Sequence, residues 1–211
     1  MPWSNSFDNG FCDYVLARGF CYSDRGATYQ IVDSPVRTGN TAAAFSVETD
    51  SGMSGARCVR EGTLPTDAIY GAWFFIPEAI ETRANWNLMH FQGSEPGDPF
   101  RYRWDVSLES GDDGGLYLYV LEFPMRERFT PPVPITVPIG AWFHVEFRWR
   151  RADAPDGRIT LFQDGMPILD LTEIDASGFD YGQWYVGNLA DDLAPASSTL
   201  YIDDVGIRRA P

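Results

Sequence analysis

The sequence predicts an all-β fold, a two-sheet antiparallel sandwich or jelly roll in a single domain. Three observations carry that prediction. Apolar and polar residues alternate with period two along most of the chain, and no amphipathic helix longer than two turns stands out. Turn signals such as Gly111-Asp112-Asp113-Gly114-Gly115, Asp156-Gly157 and Asp164-Gly165 separate the alternating runs. The composition, with 20 Gly, 15 Pro and 15% aromatic residues, suits many short strands joined by turns. At 211 residues the chain is long enough to bury a sizeable core as one domain.

Residues 1–27 are expected to hold a first strand and a loop bracketed by Cys12 and Cys21. If oxidised, that pair would close the loop and add roughly 2–3 kcal/mol, leaving Cys58 over on a strand. The sandwich proper, 28–208, is expected to contain strands at 28–33, 41–48, 55–61, 68–76, 86–92, 101–109, 115–123, 141–150, 157–164, 167–171, 183–188 and 199–208. Of the turns, Asp164-Gly165 between Ile159–Gln163 and Met166–Leu169 is the strongest hairpin signal. Proline-rich breaks at 95–99 and 130–134 read as long surface loops.

Some strands state which face they bury. In 142–150, Phe143, Val145, Phe147 and Trp149 share one side, against Trp142, His144, Glu146, Arg148 and Arg150. In 101–109, Tyr102, Trp104, Val106 and Leu108 oppose Arg101, Arg103, Asp105, Ser107 and Glu109. Each strand thus has an apolar inner face and a charged outer one. That outer face, carrying Arg103, His144 and Arg148, is expected to wall a groove that a sugar chain could occupy.

Charge narrows the partners. The formal net charge is −14, and all 16 basic residues are arginine. Such an acidic surface argues against non-specific binding to nucleic acid or anionic membranes. Locally clustered arginines can still grip a carboxylate through two parallel hydrogen bonds. No apolar run reaches membrane-spanning length, and the amino end lacks the basic start and apolar core of a signal peptide.

The most informative segment is Trp86-Asn87-Leu88-Met89-His90-Phe91-Gln92. Its alternation is expected to put Trp86, Leu88, His90 and Gln92 on one face. The chain has two histidines, and this one sits beside a glutamine amide, a proton-transfer group next to a neutral donor.

Several segments together resemble the concanavalin A-like jelly-roll polysaccharide lyases, a group that includes heparin lyase I-like, alginate and glucuronan lyases. The likeness spans roughly Tyr29 to Ile207. It rests on Ser34-Pro35-Val36-Arg37-Thr38-Gly39, the strand Ala56-Arg57-Cys58-Val59-Arg60-Glu61, and Tyr70-Gly71-Ala72-Trp73-Phe74-Phe75-Ile76-Pro77. It continues through Asn87 to Gln92, the Gly157–Gly165 hairpin, Gln183-Trp184-Tyr185-Val186-Gly187-Asn188 and Tyr201-Ile202-Asp203-Asp204-Val205. The resemblance implies a concanavalin A-like jelly roll acting on an acidic uronate polysaccharide by β-elimination. It implies His90 as base, Gln92 and Arg57 or Arg60 on the substrate carboxylate, and Tyr185 as acid. Asn188 falls near the last active strand, and Trp184 could stack on a sugar ring. Secretion and action as a monomer follow by the same likeness. The order His-x-Gln is inverted relative to the family, and Leu189 stands where those enzymes carry a tyrosine after Gly-Asn. A non-catalytic carbohydrate-binding module using the same groove is the alternative. Finally, Asp8 near the amino end and Asp203 or Asp204 in the last strand are candidates for a structural calcium site.

Overall fold

The computed structural model describes residues 2–16, 18–94 and 100–211; the proline-rich segment 95–99 lies outside the described residues. Among the described residues there are fifteen strands and one short helix, in the order β1 (Trp3–Asn5), α1 (Cys12–Leu16), β2 (Gly19–Asp24), β3 (Thr28–Val32), β4 (Ala42–Glu48), β5 (Ser54–Thr63), β6 (Asp67–Phe75), β7 (Glu81–Ser94), β8 (Arg101–Ser110), β9 (Leu116–Glu122), β10 (Glu127–Phe129), β11 (Trp142–Arg150), β12 (Gly157–Gln163), β13 (Met166–Ile174), β14 (Tyr181–Ala194) and β15 (Ser197–Arg209).

They form two antiparallel sheets. One runs β13-β12-β11-β6-β15-β4-β3, with β1 added on β15. The other runs β10-β9-β8-β7-β14-β5-β2. Neighbours far apart in sequence, such as β6 with β15 and β7 with β14, make this the expected jelly-roll sandwich rather than a meander. No described helix is long and apolar enough to cross a membrane. The Asp164-Gly165 hairpin joins β12 to β13 with φ of 51° and 78°, the left-handed pair such a tight turn requires.

The core lies between the inner faces. Phe91 of β7 stacks on Phe147 of β11 at 4.7 Å, and Trp184 of β14 meets Tyr70 of β6 at 5.2 Å. Phe45, Phe74, Trp86, Trp104, Phe143 and Trp149 complete a fully buried aromatic layer. Each such side chain contributes about 1.5–3 kcal/mol when buried.

The sulfur chemistry differs from expectation. Cys21 is bonded to Cys58, not to Cys12, which is free and exposed. Cys21 and Cys58 stand directly opposite each other on β2 and β5, their Cα atoms 4.0 Å apart. Register puts both on the inner face, a relation that only strand pairing reveals.

Two bulges set the site. Between β7 and β8, Asn87 pairs with Ser107 and Met89 with Val106, so Leu88 is an extra residue. Trp86 therefore faces the core along with Met89 and Phe91, and only His90 and Gln92 of the expected face point outward. Two residues further on, Phe91 pairs with Trp104 but Gln92 with Tyr102, which makes Arg103 the extra residue on β8. Tyr102 is thereby moved off the inner face predicted for it and is 58% exposed.

Candidate active site

The outer face of the seven-stranded sheet carries a groove of about 690 Å³. Its floor comes from odd-numbered positions of β5 and β14, since β14 pairs regularly with β5 from Tyr181–Thr63 to Ala190–Ser54. Arg57, Val59 and Glu61 stand opposite Gly187, Tyr185 and Gln183. Strands β2, β7, β8 and β9 add Tyr22, His90, Gln92, Tyr102, Asp105 and Tyr119. Four residues expected to act together, Arg57, His90, Gln92 and Tyr185, therefore line one groove.

Tyr185 is its centre. The Arg57 guanidinium lies 4.8 Å from its ring centroid, and the His90 ring lies 5.2 Å away. Its hydroxyl accepts a hydrogen bond from Gln92 Nε2 at 2.5 Å and donates to Gln183 Oε1. Gln92 Nε2 also reaches Gln183 Oε1 at 2.5 Å, and Gln183 Nε2 donates to Glu61 at 2.5 Å. Burial is the largest cause pushing the Tyr185 phenol well above its ordinary value; Tyr22 adds to the effect and Arg57 opposes it. The phenol therefore stays protonated at neutral pH.

His90 is buried and held by Asp105, whose carboxylate bonds its Nδ1. A carboxylate on Nδ1 fixes the tautomer with the proton there and leaves Nε2 as the basic nitrogen. The Tyr102 ring packs edge-on against the imidazole at 4.7 Å. On the far side Arg57 Nη2 donates to the Tyr22 hydroxyl at 2.9 Å. Among the described residues no carboxylate pairs with Arg57, and its buried Nε has no partner. Gly187 makes this packing possible, because a Cβ there would sit 2.7 Å from Arg57 Cγ and 2.4 Å from the Ala56 carbonyl. The arrangement thus offers an unneutralised cation, an amide donor, an oriented imidazole and four phenols.

The remaining expected site residues lie elsewhere. Trp184 and Asn188 occupy even positions of β14 and point inward. Trp184 is core, and Asn188 accepts from Trp86 Nε1 at 2.8 Å and donates to the Phe45 carbonyl at 3.0 Å. Arg60, also at an even position of β5, lies over Trp3 at 4.3 Å instead of in the groove. Arg103, displaced by its bulge, donates to the carbonyls of Phe123, Asp175 and Ser177 and pairs with Glu122, so it ties loops together. His144 and Arg148 belong to β11, in the other sheet, and point to the opposite surface. There His144 stacks on Trp73 at 4.8 Å and Arg148 forks onto Asp67.

The aspartates expected to hold calcium all accept hydrogen bonds from the 37–41 segment. Asp8 accepts from the backbone amides of Asn40 and Thr41, Asp203 from those of Arg37, Thr38 and Asp204, and Asp204 from the Thr38 hydroxyl. Their oxygens are engaged in fastening the 37–41 segment, and no group of three or more His, Cys, Asp or Glu side chains is arranged for a metal among the described residues.

Tyr22, Tyr102 and Gln183 are not among the site residues expected from the sequence, where Asp105 is only an outward carboxylate. The alternation of β14 was a usable signal for Gln183, whose side chain shares a face with Tyr185. The Tyr102 placement depends on a bulge and had no sequence signal.

No family model and no curated protein matches this sequence. Solved structures do. An endo-β-1,4-glucuronan lyase from the fungus Trichoderma reesei superposes with a TM-score of 0.72 at 18% identity, covering 90% of each chain. The cellulose-induced protein Cip1 does so at 0.69 and 12% identity, covering 99% of this chain and 97% of its own. A marine alginate lyase from Aplysia kurodai gives 0.63 at 11% identity, with coverage of 99% and 98%. The chain therefore has the jelly-roll fold found in polysaccharide lyases.

Proposed function

We propose that the protein is a polysaccharide lyase-like enzyme that cleaves a uronate-containing glycan by β-elimination in the groove of the seven-stranded sheet. The observation that carries this reading is the meeting of Arg57, Gln92, His90 and Tyr185 in one groove, with His90 Nδ1 anchored on Asp105. The fold it shares with glucuronan and alginate lyases supports the substrate class.

Each group has a role set by its chemistry. Arg57 and the Gln92 amide bind the substrate carboxylate and spread its charge, which makes the C5 proton acidic. His90 Nε2 removes that proton, a contribution of about 10²–10⁴-fold for a positioned base. The enolate that develops is stabilised by the same cation and amide. As the C4–O bond breaks, a tyrosine hydroxyl protonates the departing oxygen. Tyr185 holds Gln92 in place and is the phenol expected from the sequence for that step. The Cys21–Cys58 disulfide supports an oxidising, extracellular setting.

Incubation with a panel of uronate polymers, followed by the absorbance of the unsaturated uronyl product, tests the proposal. A rise on at least one polymer is expected, and silence on all of them contradicts it. A second reading, a carbohydrate-binding module, is favoured by Leu189 at the position where the family carries its tyrosine. Retained binding in gel-shift electrophoresis without any product would establish it.

A further inference from the structure

The geometry points to Tyr102, not Tyr185, as the group that protonates the departing glycosidic oxygen, from the same side of the groove as the His90 base. This assignment rests on the lyase reading. Three observations carry it. Tyr102 lies against His90, its ring 4.7 Å away at 79°. It is 58% exposed, and among the described residues its hydroxyl makes no hydrogen bond, so its proton is available to a ligand. Tyr185, in contrast, is 7% exposed, and its proton is committed to Gln183 while Gln92 donates to its oxygen. Burial also raises the Tyr185 phenol, which makes it a reluctant donor. Leu189 reaches the groove wall but has no proton to give. The Arg103 bulge, which turns Tyr102 out of the inner face, supplies the missing phenol on a different strand.

The step balances without any co-reactant. His90 Nε2 takes the C5 proton, and the C–H electrons form the C4=C5 double bond. The C4–O bond breaks with its electron pair going to oxygen, which takes the Tyr102 proton. The exposed phenolate then regains a proton from water and the imidazolium returns its own. Tyr102 and His90 touch each other on one side of the groove, so both transfers occur on one face of the sugar ring. The uronate accepted must carry C5–H and C4–O on the same face, as mannuronate and glucuronate units do. Guluronate and galacturonate units carry them on opposite faces.

Leaving-group dependence tests the assignment. Wild type, Tyr102→Phe and Tyr185→Phe are assayed on polymannuronate and glucuronan, and on a uronide whose C4 substituent is nitrophenoxide, a leaving group that needs no proton. Tyr102→Phe should lower kcat on the polymer about 100-fold or more while staying within about threefold of wild type on the nitrophenyl substrate. Tyr185→Phe should slow both substrates alike, because it acts through Gln92. Polyguluronate and polygalacturonate should stay uncut. If Tyr102→Phe keeps polymer turnover, or loses both substrates equally, the assignment falls while the lyase reading stands. Cutting of polyguluronate as fast as polymannuronate also overturns it. A wild-type protein inactive on every substrate overturns the lyase reading and the assignment together.

Discussion

The two outer faces of the sandwich use the same residue types to opposite ends. Each presents one of the two histidines and a set of arginines. On the eight-stranded sheet three arginines are neutralised in pairs, Arg148 with Asp67, Arg158 with Asp170 and Arg208 with Glu146, while Arg37 lies over Trp73. His144 is stacked flat on Trp73. On the seven-stranded sheet Arg57 has aromatic and hydroxyl neighbours in place of a carboxylate, and His90 is aimed by Asp105. What marks the seven-stranded face as the candidate site is that its unpaired cation and its Asp105-held imidazole share one groove with an amide and phenols. Alternation in sequence does not distinguish the two.

The sharpest way to break this comparison is to exchange the histidines' fates. His90→Ala should cost about 10²–10⁴-fold in turnover on the cleaved polymer, whereas His144→Ala should leave turnover within about twofold. Equal losses in steady-state assays would erase the distinction between the faces. The arginines give the next largest contrast. Arg57→Ala should lower kcat/KM by about 10²–10³-fold, the usual scale for losing one preorganised charge donor. Arg148→Ala removes a partly exposed ion pair and should shift stability by less than about 1 kcal/mol, with activity intact. Denaturant titration and kinetics on both variants measure this directly.

The two-sheet architecture was legible in the sequence for a physical reason. Strands such as 142–150 carry strict period-two patterns because one face meets the core and the other meets water, and β11 buries Phe143, Val145, Phe147 and Trp149 as that pattern requires. The site was legible where β5 and β14 run without a break, which puts Arg57 and Tyr185 on one face. It was illegible where bulges enter. Leu88 inverts the expected face of Trp86, and Arg103 inverts that of Tyr102, because one extra residue exchanges inside for outside. Sheet membership was hidden as well: His144 and Arg148 show the same alternation as Arg57, but β11 pairs with β6 and β12 and so faces away. The Cys21–Cys58 bond depends on long-range register, which local sequence does not encode.

That disulfide offers a third contrast, smaller than the first two. It fastens β2, which carries Tyr22, to β5, which carries Arg57; the edge strand β3 of the other sheet has no such tie among the described residues. Cys21→Ser with Cys58→Ser should lower stability by about 2–4 kcal/mol in thermal or denaturant melts. Cys12→Ser should leave it unchanged.

The smallest effect concerns pH. Burial is the largest cause lowering the pKa of His144 from its ordinary 6.5; Glu146 and Asp164 oppose the shift, while Arg208 and Arg37 add to it. The unfolded chain therefore binds this proton first as pH falls. Stability from this group is fully present above pH 6.5 and declines as pH drops from there through the lowered value. His144→Phe, which can keep the stack on Trp73, should flatten that acid limb by less than about 1 kcal/mol in melts recorded between pH 7 and pH 5.

The central claim is that the groove of the seven-stranded sheet breaks uronate chains with His90 as its base. The most direct measurement follows the absorbance of unsaturated product from polymannuronate and glucuronan with wild-type protein and with folded His90→Ala. A steady rise is expected for wild type and a flat trace for the variant. A rise of equal slope in both, or no rise with wild type on these or any other uronate polymer, contradicts it.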